Sequence, residues 1–110
     1  MTQPVVEILY FEDCPNHEPA LAAVQRVAAE LGLEPTIELI AVPDAEAATD
    51  RRFLGSPTVR VGGRDVEPGS DERLDFGLSC RVYRYDGRLA GQPDEAWIRE
   101  ALTSLTMEAR

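Results

Sequence analysis

The sequence predicts an α/β domain: a mixed four-stranded sheet in the order βαβ, β-hairpin, C-terminal helix, with an insertion before that helix. Three observations lead there. An apolar run rich in β-branched and aromatic residues, "VVEILYF", is followed by an amphipathic stretch and a second such run, "TIELIAV". A Gly62-Gly63 pair then separates two short strand-like segments, and Pro93-Asp94-Glu95 opens a final helical pattern. Alternating strand and helix patterns with turns between them specify layered α/β packing.

The first strand, Val5 to Phe11, is apolar almost throughout, as a strand buried on both faces of a sheet must be, so it is expected to be central. Next, Leu21, Val24, Ala28 and Leu31 recur at helical spacing, with Pro15 suited to the first turn and Gly32 to the stop. Thr36 to Val42 reads as a second strand, and the helix between makes the unit a right-handed crossover with parallel strands. A thinner helix is expected after Pro43, with Asp44 as its N-cap and Gly55 as its terminator. Thr58 to Val61 and Arg64 to Glu67 form the hairpin about Gly62-Gly63. The insertion, about residues 69–92, carries Cys80 and several turn residues. The last helix runs to about Leu105, with Trp97, Ile98, Ala101, Leu102 and Leu105 as its core face.

A chain of 110 residues suffices for one domain, 1–110, and no apolar run approaches the roughly 18 residues a membrane-spanning helix needs. The net charge of -9 opposes general affinity for nucleic acid or anionic lipid, so neither is an expected partner. All 11 basic residues are arginine, which reads as compositional bias, since no cluster of them in the sequence suggests a phosphate-reading face. The opening "MTQPVVEILYF" lacks a basic segment and enters a strand directly, so a cytoplasmic location is expected. Two cysteines in a reducing compartment are more often reactive, metal-bound or buried than a structural disulfide.

The motif "YFEDCPNH" places Cys14 and Pro15 where the first strand gives way to the first helix, and "GSPTV" opens the third strand. Together with the element order, these landmarks resemble the thioredoxin superfamily, and the aromatic-x-x-Cys-Pro opening is similar to that of small thioredoxin-like proteins. The resemblance covers Val5 to Val66 and the last helix. It implies a thioredoxin-like three-layer fold, a nucleophile at Cys14, a cis proline at Pro57 and no cofactor. His17 stands where the family usually has its second cysteine, so no disulfide can close inside the motif.

The unpaired amides and partial positive charge of a helix N-terminus stabilise a thiolate, and His17, one turn along, adds to this if protonated. Glu12, Asp13 and Glu18 oppose both effects, so a mildly activated thiol is expected. A mixed disulfide on Cys14 then needs an outside resolving thiol: a glutathione-like small thiol, or Cys80. Topology makes Cys80 a serious candidate beside the external thiol. The third strand leaves the Cys14 edge of the sheet and the antiparallel fourth returns to it, so the insertion starts near Cys14. Ser56, Pro57 and Pro15 are the expected substrate-binding residues, with the Ser56 backbone presented to an extended protein or peptide disulfide.

Two other classes fit the same residues. One is a soft-metal or metalloid-binding protein of mercury type, with Cys14, Cys80 and in third place His17 as ligands. Organomercurial lyases likewise pair two cysteines with an acid, a part Asp13 matches in residue type only. The other is a thioredoxin-fold interaction protein without redox chemistry.

Overall fold

A computed structural model describes residues 4–108. Its elements are β1 (Val5–Tyr10), α1 (His17–Glu30), β2 (Thr36–Ala41), α2 (Ala45–Asp50), β3 (Thr58–Val61), β4 (Arg64–Asp65), a 3-10 turn at Ser70–Glu72, β5 (Tyr83–Tyr85), β6 (Arg88–Ala90) and α3 (Glu95–Glu108). The fold is mixed α/β, with a four-stranded mixed sheet in the order β2-β1-β3-β4. β1 pairs with β2 in parallel and with β3 antiparallel, and β3 with β4 antiparallel. The predicted crossover, hairpin and central first strand are all present.

Consecutive residues of a strand face opposite sides of the sheet; here one side is covered along its length and the other only near Leu9, with Val5 exposed and Glu7 half-buried. Val6 and Ile8 of β1, with Val59 and Val61 of β3, pack against Ala20, Ala23, Val24 and Val27 of α1 and Ile98 and Leu102 of α3. On the other side Leu9 packs with Val42, Ala48 and Phe53, the small core beneath α2. Asp44 caps α2 as expected, its carboxylate accepting from the Ala47 amide at 2.8 Å. That helix stops at Asp50, short of Gly55, because Arg52 turns into the left-handed region at φ 55° and delivers Phe53 to the core.

In α1 the alanine-rich face, not Leu21 and Leu31, is fully buried: Ala20, Ala23, Val24, Val27 and Ala28. Small side chains let the helix lie close to the sheet, and the two leucines fill its margin. In α3, Ile98 and Leu102 are fully buried while Trp97, Ala101 and Leu105 pack at the edge of the same core.

The insertion holds a second hairpin that the sequence reading did not foresee, β5-β6, turning at Asp86 and Gly87. Both turn residues have positive φ, 53° and 73°, as a type I′ turn requires, and Asp-Gly is a strong signal for it. Its far end returns to the first strand-to-helix turn, where Gly91 lies flush against the Asn16 amide.

Candidate functional site

Cys14, Ser56 and Cys80 meet at one end of the sheet. β1 delivers the chain into a tight turn closed by the Cys14 amide on the Phe11 carbonyl at 3.0 Å. The Cys14 thiol donates to the Ser56 carbonyl at 3.5 Å. Ser56 precedes β3, and its peptide bond to Pro57 is cis. Cys80 lies in parallel bridge register with Ser56. That contact is made by two backbone hydrogen bonds: the Ser56 amide to the Ser79 carbonyl at 2.8 Å, and the Arg81 amide to the Ser56 carbonyl at 2.9 Å. Cys14 and Cys80, 66 positions apart in the chain, are thus both brought to Ser56, but their sulfurs do not stand at disulfide distance. Both thiols are free.

Two expectations about Cys14 do not hold. The residue is only 1% exposed, out of the reach that the nucleophile implied by the resemblance needs, and it is Cys80 that is exposed. Cys14 also stands outside the helix. α1 begins at His17 with Asn16 as its N-cap, so Pro15 precedes the first turn and Cys14 is two residues before the cap. The field of a helix terminus falls off within about a turn, so the sulfur gains less from it than a residue of the first turn would.

His17 is held by other partners than the thiol. Its Nδ1 is 2.9 Å from the Cys14 carbonyl oxygen and its ring stacks on Tyr10 with centroids 4.4 Å apart. Glu12, Asp13, Pro15 and Glu18 are all exposed. Among the described residues no group of three or more His, Cys, Asp or Glu side chains could hold a metal ion, so the Cys14, Cys80 and His17 ligand set is not assembled.

Ser56 and Pro57, expected to receive substrate, are both buried. The chain's own insertion lies along them. The Gly77 amide donates to the Phe53 carbonyl at 3.0 Å, the Ser79 and Arg81 contacts flank Cys80, and the Tyr83 hydroxyl donates to the Pro57 carbonyl. Residues 77–83 thus shadow residues 53–57 as an added strand would. At Gly55, φ 123°, a Cβ would stand 3.0 Å from both the Arg81 Cβ and the Ser79 oxygen, so only glycine lets the two segments approach this closely.

Arg81 anchors that segment. Its guanidinium, 3% exposed as a residue, spans Asp65 at 2.6 and 3.2 Å, Glu67 at 2.7 Å and the Thr58 hydroxyl at 3.0 Å, and lies 4.6 Å over the Tyr83 ring. Burial opposes its charge, but Tyr83, Asp65 and Glu67 together keep it protonated well beyond its ordinary range. Burial in turn holds the Tyr83 phenol neutral far above its usual pKa, against the opposing pull of Arg81. Desolvation, and after it the adjacent Cys14 sulfur, push the Cys80 thiol up. The sequence reading missed Arg81 entirely, because its partners are two carboxylates on the β4 side of the sheet.

A concave surface lies elsewhere. A groove of about 610 Å³ along the β4 edge is lined by Arg51, Arg52, Arg60, Arg64 and Arg73 among others, and neither cysteine lines it. The fold therefore gathers arginines that looked scattered in the sequence. Several are already engaged: Arg73 pairs with Asp75 and Glu67, Arg60 donates to the Arg51 and Arg52 carbonyls, and Arg52 lies over Phe76.

Among the described residues no helix is long and apolar enough to cross a membrane. Compared with known proteins, the chain matches no family model and no curated sequence.

Proposed function

We propose that this protein is a thioredoxin-like thiol-disulfide oxidoreductase whose working pair is Cys14 and Cys80. One observation carries the reading: Ser56 joins the two cysteines, accepting the Cys14 thiol on its carbonyl while pairing in register with Cys80. Two free thiols held against one residue can cycle between dithiol and disulfide once a local movement brings their Cα atoms within roughly 7 Å, since they do not stand at disulfide distance in the reduced protein. The sheet order β2-β1-β3-β4, with helices on both faces, supports the thioredoxin-like description. Cys80 then does the work of the second cysteine that His17 displaces from the motif, and His17 braces the Cys14 turn through its carbonyl.

In this reading the partners are a disulfide substrate and a thiol reductant, with no cofactor and a cytoplasmic setting. The test is turnover: thiol-dependent reduction of a disulfide followed with purified protein, beside Cys14→Ser and Cys80→Ser. The reading predicts that the wild type accelerates exchange and that either substitution stops the full cycle. Equal rates with and without the protein would contradict it, and would leave the interaction-protein class.

A further inference from the structure

We infer that Cys80 is the thiol that meets the substrate, that Cys14 is the buried sulfur that resolves it, and that the substrate is a low-molecular-weight disulfide. This rests on the Cys14 and Cys80 pairing proposed above and assigns the roles within it.

Access decides the order of events. The sulfur of a residue only 1% exposed cannot be reached by a disulfide from solvent, whereas Cys80 is exposed to it. Recognition decides the class of substrate. Polypeptides that bind beside a sheet do so by main-chain hydrogen bonds, and at this site those positions are taken. Phe53, Ser56 and Pro57 give their main-chain groups to Gly77, Ser79, Arg81 and Tyr83. A peptide strand would have to expel this segment, break its bonds and pull the Arg81 guanidinium from Asp65 and Glu67. A small disulfide needs only the exposed sulfur. The segment thus occupies the place of a bound strand, with Cys80 where that strand's sulfur would lie.

The chemistry balances in two displacements. The Cys80 thiolate attacks one sulfur of the disulfide RSSR, forming Cys80–S–S–R and releasing RS⁻, which takes up the proton Cys80 lost. Cys14, as thiolate, then attacks the Cys80 sulfur, forming the Cys14–Cys80 disulfide and releasing the second RS⁻. Two thiols of the protein are oxidised and RSSR is reduced to two RSH; a low-molecular-weight thiol restores the dithiol by the reverse displacements. Because the Cys80 thiol is raised, it is a strong nucleophile once ionised but is scarce as thiolate at neutral pH. The first step therefore accelerates with rising pH.

The experiment uses glutathione disulfide as the probe, with rapid acid quenching and peptide mapping of wild type and Cys14→Ala. The expected early adduct is one glutathionyl group on Cys80, accumulating in Cys14→Ala and giving way in the wild type to the Cys14–Cys80 disulfide. As a check without any variant, brief iodoacetamide treatment of the native reduced wild type labels Cys80 at least about tenfold faster than Cys14. An adduct or preferential label on Cys14, in a wild type that still closes its disulfide, overturns the role assignment and leaves the pairing intact. Exchange at neither sulfur overturns both.

Discussion

Replacing Arg81 by methionine removes the anchor of the segment that carries Cys80 while keeping much of its volume. The wild-type guanidinium makes two bonds to Asp65 and one each to Glu67 and Thr58, and the side chain is 1% exposed against 13% and 19% for the two acids. Removing one partner of a buried ion pair costs about 3–5 kcal/mol, because the other charge is left behind. Here the stranded carboxylates reach some water, and Arg73 remains 3.5 Å from Glu67, so the low end, about 3 kcal/mol, is expected. With a urea dependence of about 1.5 kcal/mol per molar for a domain of this size, the unfolding midpoint falls by about 2 M. Adding Asp65→Asn and Glu67→Gln removes the unpaired charges and recovers at least about 1 kcal/mol. Urea melts followed by far-ultraviolet circular dichroism measure both. A midpoint that moves by less than about 0.3 M, or no recovery in the triple variant, refutes the anchor. Where Arg81→Met folds, alkylation of Cys14 rises about tenfold or more, since each 1.4 kcal/mol lost from a closed state multiplies its opening by ten.

Gly55→Ala is expected to act on the same contact from the other side: at φ 123° and 3.0 Å from Arg81 and Ser79, the methyl costs about 1–3 kcal/mol in a thermal or urea melt and speeds Cys14 alkylation. Ser56→Ala leaves disulfide exchange unchanged and stability equal or slightly raised, because the buried Ser56 hydroxyl has no partner and the residue works through its backbone; a tenfold loss of rate contradicts this. Ile98→Ala, at a fully buried site between α3 and the sheet, costs about 2–5 kcal/mol, read as a lowered midpoint with both cysteines still paired when oxidised. The Tyr83 phenol is held neutral in the fold and ionises near pH 10 when unfolded, so the folded state binds more protons above that pH and stability falls, by at most about 1.4 kcal/mol per pH unit from this group. Urea midpoints from pH 9 to 11 measure that slope, and Tyr83→Phe removes its tyrosine share.

What was legible in the sequence followed from period and punctuation. The central place of β1, the parallel crossover to β2 and the Gly62-Gly63 hairpin are local patterns, and each appears in the fold, whereas the burial of β1 on both faces is only partial, with Val5 exposed. So is the Asp44 cap. The approach of Cys80 to the Cys14 end followed from strand direction alone. The burial of Cys14 did not, because it depends on where an insertion of irregular chain folds back. The Asp86-Gly87 turn was readable but lay between strands of three residues, too short to show alternation. Arg81 was unreadable for a different reason. Its role is set by Asp65 and Glu67, which are neighbours only after β4 has paired with β3 and the insertion has returned across it. The occupied backbone of Ser56 is likewise a tertiary fact, and it changes the expected substrate from an extended polypeptide to a small disulfide.

The most direct test is a mass map of peptides from the native protein, digested without reductant before and after mild oxidation. The account predicts that oxidation converts both free thiols into one linked pair, the peptide bearing Cys14 joined to that bearing Cys80, and that a small thiol reverses it. Recovery of both peptides unlinked, with Cys14 still reduced after Cys80 has been oxidised to an external adduct, would contradict it.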